Sequence, residues 1–178
     1  DGWEKPVLLF GAVNTRDDEI NPHLSKNGKI LYFTRARFND TTKSKIIKVR
    51  NKNDSWEDVQ TAKISSNSIV DIYMVKPSYY KPGFYLTGFK KKNTENREIF
   101  YSDDSGKNIY SINGSSSSGD EMSICELNKK TLIVSSNENG IEGSYDFYIR
   151  KISGVLKKAT PATFYLKIEN NEYKILME

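Results

Sequence analysis

Few residues of this 178-residue chain have the chemistry for catalysis, and their types narrow the choice quickly. His23 is the single histidine and Cys125 the single cysteine. A hydrolytic triad or a zinc centre normally includes a histidine among its partners. His23 stands between Pro22 and Leu24, which reads as a packed or hydrogen-bonded strand residue. Cys125 lies between Ile124 and Glu126 in a strand-like run, where a small buried thiol is the plain expectation. No His or Lys motif beside it would stabilise a thiolate, and a lone cysteine excludes an internal disulfide. No metal and no cofactor is expected.

Carboxylates are the remaining catalytic chemistry. Asp17, Asp18, Glu19, Asp71, Asp120 and Glu121 precede or enter strand-like runs. A glycosidase needs two acids facing one another across a sugar, at a separation set by the fold. The plainer role for these residues is to hold loop backbone with their side chains. Ser102 to Ile109, reading S-D-D-S-G-K-N-I, approximates the S-x-D-x-G-x-x-W box of sialidase-like proteins, without its final aromatic. Such a box is a hairpin turn in which the aspartate bonds its neighbours, and it marks no active site.

Binding chemistry is better represented. Arg35, Arg37 and Lys43 flank or enter the polar stretch 36–44, and Lys90, Lys91 and Lys92 open the stretch 90–97. If both stretches join second strands to third strands, these cations gather on one face and can steer an anionic partner, such as an acidic glycan or protein. The competing reading is a lysine-rich surface kept for solubility. Tyr79 and Tyr80 sit between Pro77 and Pro82, either as packing or as a stacking platform for a sugar or peptide.

The elements that must position these residues are strands. Eleven Tyr, eight Phe and two Trp favour strands, while the many Gly, Asn and Ser favour turns. The stretch N-P-H-L-S-K-N-G-K-I-L-Y-F-T-R, Asn21–Arg35, is a hairpin signal, because Asn27 and Gly28 accept positive φ readily. Three units repeat strand, turn, strand, polar stretch, strand, turn, strand, at about 20–61, 69–113 and 121–159. Second-strand markers Ile30, Phe84 and Leu132 are spaced by 54 and 48 residues, and third-strand markers Ile46, Ile99 and Phe147 by 53 and 48. Four strands in a period of about 40–50 residues predict an all-β chain, a β-propeller of four-stranded antiparallel blades. Strands within 6–13 and 163–177 are expected to join as a closing blade, giving one small domain over 1–178 with about four blades. The alternative is a fragment of a larger propeller.

The net charge of +4 is spread along the chain, so no nucleic-acid arm is indicated. No apolar run approaches the roughly 18 residues of a membrane span. The chain opens at Asp1 without Met or an apolar leader, which reads as a processed or truncated start.

Trp3, Pro6 and Leu9, then Asn14-Thr15, Asp18-Glu19, Pro22 and Ser25-x-Asn27-Gly28-Lys29-x-Leu31-Tyr32-Phe33 resemble the repeat of TolB-like, WD-like β-propellers of bacterial envelope proteins. Gly143-Ser144-Tyr145-Asp146-Phe147-Tyr148-Ile149 resembles their G-G-Y-D-I-Y-V strand, and Val70-Asp71-Ile72-Tyr73 echoes it. Unit two departs from the pattern, with Ser78-Tyr79-Tyr80-Lys81-Pro82-Gly83 at its turn. The resemblance implies a propeller in the periplasm or at the cell surface that binds a protein or glycan. The expected function is therefore a non-catalytic binding or scaffolding module. Its rivals are a propeller-type glycan hydrolase and a purely structural domain of a surface lipoprotein.

Overall fold

The computed structural model describes residues 4–9, 13–37, 40–64, 69–91, 93–112, 117–138, 145–152, 160–161, 164–169 and 172–177, with backbone alone at 40–43, 93, 160–161, 164–169 and 172–177. All of its regular structure is strand. Sheet 1 contains β1 (Asp18–Leu24), β2 (Ile30–Arg37), β3 (Asp40–Lys52) and β4 (Ser55–Thr61), antiparallel and in chain order. Sheet 2 repeats the order with β5 (Ile69–Pro77), β6 (Phe84–Lys90), β7 (Asn93–Ser102) and β8 (Ile109–Ser111). Sheet 3 does so with β9 (Glu121–Asn128), β10 (Thr131–Ser136), β11 (Asp146–Lys151) and the two-residue β12 (Thr160–Pro161). β13 (Phe164–Glu169) and β14 (Glu172–Met177) form a separate two-stranded sheet.

Neighbouring residues on a strand face opposite ways, and sheet 2 uses both of its faces. Val75, Leu86 and Phe100 pack on Tyr32 and Ile46 of sheet 1, while their neighbours Met74, Tyr85 and Ile99 pack on Ile124, Leu132 and Val134 of sheet 3. A sheet buried on both sides needs paired apolar residues where a half-exposed sheet needs alternation. The pairs Met74-Val75, Tyr85-Leu86 and Ile99-Phe100 supply them. On the far side of sheet 1, Leu31, Phe33, Ile47 and Val49 cluster with Val13.

Among the described residues the sheets do not close into the expected ring: residues 4–9 carry no strand, and β13 and β14 pair with each other alone. Val13 packs as a side chain on the far face of sheet 1. The last part of the third unit, 153–159, where its fourth strand is expected from the sequence, lies outside the described residues, and β12 pairs with β11.

The polar stretches also differ from loops. β2 runs on to Arg37 and pairs it with Asp40, and β6 pairs Lys90 with Asn93. Thr41 and Thr42 in the first stretch favour extended backbone, so the hairpins lengthen into arms. Cys125 is exposed, against expectation. Its neighbour Ile124 takes the buried side against sheet 2, so alternation turns the thiol outward.

Candidate functional site

The arms, the starts of the first strands and the links between sheets share one end of the sheets. Arg35 is committed there. Its Nε lies 2.9 Å from Glu19 Oε1 and its Nη2 donates to Val13 O at 3.0 Å. Thr15 Oγ1 and N also donate to the Glu19 carboxylate, at 2.6 and 3.2 Å. Burial pushes the Glu19 carboxyl up, but the bonds from Thr15 and Arg35 outweigh it and hold it below the usual range. Lys90 Nζ lies 2.7 Å from Glu98 Oε2. Arg37 and Lys91 are exposed, and neither carries an ion pair among the described residues. Lys43 lies on β3 with its backbone alone described, and Lys92 lies outside the described residues. The basic face expected from the sequence thus divides into pinned cations (Arg35, Lys90) and open ones (Arg37, Lys91).

Acidic residues at the same end are held in place too. Asp71, at φ 51°, accepts from Ser44 Oγ at 2.9 Å. Asn21, at φ 54°, donates from Nδ2 to Tyr73 O at 3.1 Å, and Thr34 Oγ1 donates to the same carbonyl at 2.6 Å. Asn and Asp enter the left-handed region more cheaply than other side chains, which suits them to these two register shifts. Asp120 accepts from Arg97 N and Nη1, both at 2.7 Å, and from Tyr145 Oη at 2.9 Å. The Arg97 guanidinium in turn lies 4.5 Å from the Tyr73 ring centre and 5.0 Å from that of Phe89.

Glu121 is fully buried. Its Oε1 accepts from Ser117 Oγ at 2.6 Å and Ser136 Oγ at 3.3 Å, and Arg150 Nη2 bridges it at 3.3 Å to Glu138 Oε2 at 3.2 Å. Burial raises the Glu121 carboxyl to about 7, against the lowering by Ser117, Arg150 and Ser136. Its Oε2 has no hydrogen-bond partner among the described residues. A raised carboxyl is a mark of acid catalysts, but this one has no open side from which to reach a substrate.

The tyrosines lie at the opposite end, in the turn between β5 and β6. Tyr79 Oη donates to Leu24 O of sheet 1 at 3.3 Å, and Tyr80 Oη to Leu127 O of sheet 3 at 3.4 Å. They fasten one turn to both flanking sheets and remain 38% and 44% exposed, enough to present ring surface. His23 is nearby in character: burial, then the positive Lys76, lowers its imidazole pKa, as for a structural neutral histidine. In the box, Asp103 accepts from Ser105 Oγ at 2.6 Å and closes its own turn. Among the described residues no group of three or more His, Cys, Asp or Glu is placed to hold a metal ion, and no helix is long and apolar enough to cross a membrane.

The sequence pointed to Arg35 and Lys90 through their charge and to Tyr79 and Tyr80 through their prolines. It gave no sign of Arg97 or Glu126 as partners, because each is defined by a residue outside its own sheet, nor of Arg150, whose partners Glu121 and Glu138 come from other parts of sheet 3. The duplicated acid in Asp120-Glu121 was the one available signal.

No protein-family model matches the chain, and no curated protein matches it. Among solved structures it is similar to TolB from Acinetobacter baumannii, at a TM-score of 0.52 and 16% identity over 88% of this chain. The chain spans 39% of that structure's length. This likeness, with the successive four-stranded antiparallel sheets, gives the fold as all-β of the TolB-like propeller kind.

Proposed function

We propose that this chain is a non-catalytic binding or scaffolding module of the bacterial cell envelope, engaging a protein or glycan partner through the arm-bearing end of its sheets. The observation that carries this reading is the division of charge at that end. Three of the six candidate acids, Glu19, Asp120 and Glu121, are each tied to an arginine. Arg37 and Lys91 meanwhile are exposed on the hairpin arms with no ion pair among the described residues, where a cation can attract and orient an acidic surface. The TolB-like fold supports an envelope setting as analogy alone, since one scaffold hosts many functions.

The test is capture from a bacterial envelope lysate by immobilised protein, compared with Arg37→Glu/Lys91→Glu. Retention of a specific partner by the parent and its loss from the charge-reversed variant is the expected result. Turnover of a glycoside by the purified protein, abolished by Asp71→Asn or Asp18→Asn, would overturn the reading in favour of a hydrolase.

A further inference from the structure

A cleft of about 360 Å³ opens between sheets 1 and 2. Its floor is one row across three strands, because Tyr32 pairs with Lys48 and Lys48 with Gln60. Phe84 closes the inner wall, its ring 5.3 Å from that of Tyr32 at an interplanar angle of 66°. The rim comes from Thr61–Ile64, leaving β4, and from Asp104–Gly106 of the box turn. These two segments are seated tightly on one another: a Cβ on Gly106 would fall 2.6 Å from Lys63 O. Both walls are therefore held in place before any ligand arrives.

Three properties of the lining select a ligand. Phe84 offers apolar aromatic surface for a sugar's C–H groups. The Gln60 amide and the Thr61 and Ser105 hydroxyls each donate and accept, which matches neighbouring sugar hydroxyls. Lys48 and Lys63 have no carboxylate partner among the described residues, against the single acid Asp104 on the rim. The volume lies at the small end of ligand sites, about 300–1,000 Å³, which suits one or two sugar rings better than a peptide segment. We infer that this cleft is a binding subsite for a carboxylate-bearing sugar, with Lys48 and Lys63 receiving the carboxylate. The subsite is independent of partner capture by the arms, so either reading can fail alone.

The probes are a disaccharide containing one glucuronic acid, its neutral glucose counterpart, and a short glutamate-containing peptide, each titrated into labelled protein and followed by amide shifts. Shifts at Thr61–Ile64 and Ser105–Gly106 are expected, with the acidic disaccharide bound about tenfold more tightly than the neutral one. Lys48→Gln/Lys63→Gln is expected to erase that preference, while Lys129→Gln on the β9–β10 turn leaves it intact. Unchanged amide spectra certify that each variant is folded. The absence of cleft shifts at millimolar sugar, an undiminished affinity in the double variant, or tighter binding of the peptide would each overturn the assignment.

Discussion

The backbone amide of Tyr79 donates to Oε2 of Glu126 at 2.7 Å, joining an exposed turn of sheet 2 to a carboxylate of sheet 3 that is 1% exposed. Ser78 Oγ donates to the other oxygen at 2.8 Å, and Lys76 Nζ approaches to 3.7 Å with its own side chain 6% exposed. The Tyr79 ring lies 4.6 Å from that ammonium. Glu126 therefore satisfies a turn and a buried cation together, across a boundary between sheets.

Removing one partner of such a pair leaves a buried charge. Glu126→Ala is expected to cost about 3–5 kcal/mol, because Lys76 is stranded in a site made for its counter-charge. Lys76→Met/Glu126→Leu should cost less than Glu126→Ala, since neither charge then remains buried. Urea unfolding of the three proteins gives the comparison. A double variant less stable than Glu126→Ala would contradict the account.

The same turn depends on Gly83, at φ 125°. A Cβ there would overlap the Ser102 carbonyl oxygen and the Tyr101 hydroxyl, so backbone of β7 would have to move. Gly28, at φ 69°, has nothing within 4 Å of the same position and carries the torsional cost alone. Gly28→Ala is expected to cost about 1–2 kcal/mol and Gly83→Ala clearly more. Thermal melts that rank the two the other way would show that the turn adapts.

Two arginines two residues apart should separate stability from binding. Arg35→Ala removes bonds to Glu19 and to Val13 O and is expected to cost about 1.5–3 kcal/mol, with the far face of sheet 1 loosened. Arg37→Ala, at an exposed site, should stay within about 0.5 kcal/mol of the parent. If Arg37→Ala nonetheless weakens partner capture while Arg35→Ala weakens it only in proportion to unfolding, the open cation is the contact. Equal stability losses would erase the distinction between pinned and open cations.

Sheet order and most strand bounds were legible because they rest on local signals. Ile30 to Phe33 out of Asn27-Gly28, and the paired apolar residues of β5 to β7, carry their period and turns in adjacent positions. Closure was not legible, because Val7 to Phe10 reads as a strand whatever it pairs with. Its neighbour Val13 found a place on Leu31 and Phe33 that no repeat predicts. The candidate cations could be read as charge, but commitment could not. Nothing local distinguishes Arg35, facing Glu19 across a strand pair, from Arg37, two residues on.

The buried Glu121 should leave a signature in pH. Its carboxyl holds a proton up to about 7 in the folded chain, whereas in the unfolded chain it releases it near 4.5. Between those values the folded state binds more protons than the unfolded state. The contribution is thus fully present below pH 4.5, and stability falls as pH rises through 7. Each pH unit in that window is worth about 1.4 kcal/mol at most, so the total is a few kcal/mol in order of magnitude. Glu121→Gln keeps an acceptor for Ser117 and Ser136 and never ionises, while Arg150 retains Glu138 at 3.2 Å. The variant should therefore gain on the parent as pH rises from 4.5 to 7 and hold a constant lead above it. Chemical denaturation of both proteins across that range reads the difference directly. A gap that is flat with pH, or that widens as pH falls, would mean that Arg150 keeps Glu121 ionised and that the buried pair is a salt bridge throughout.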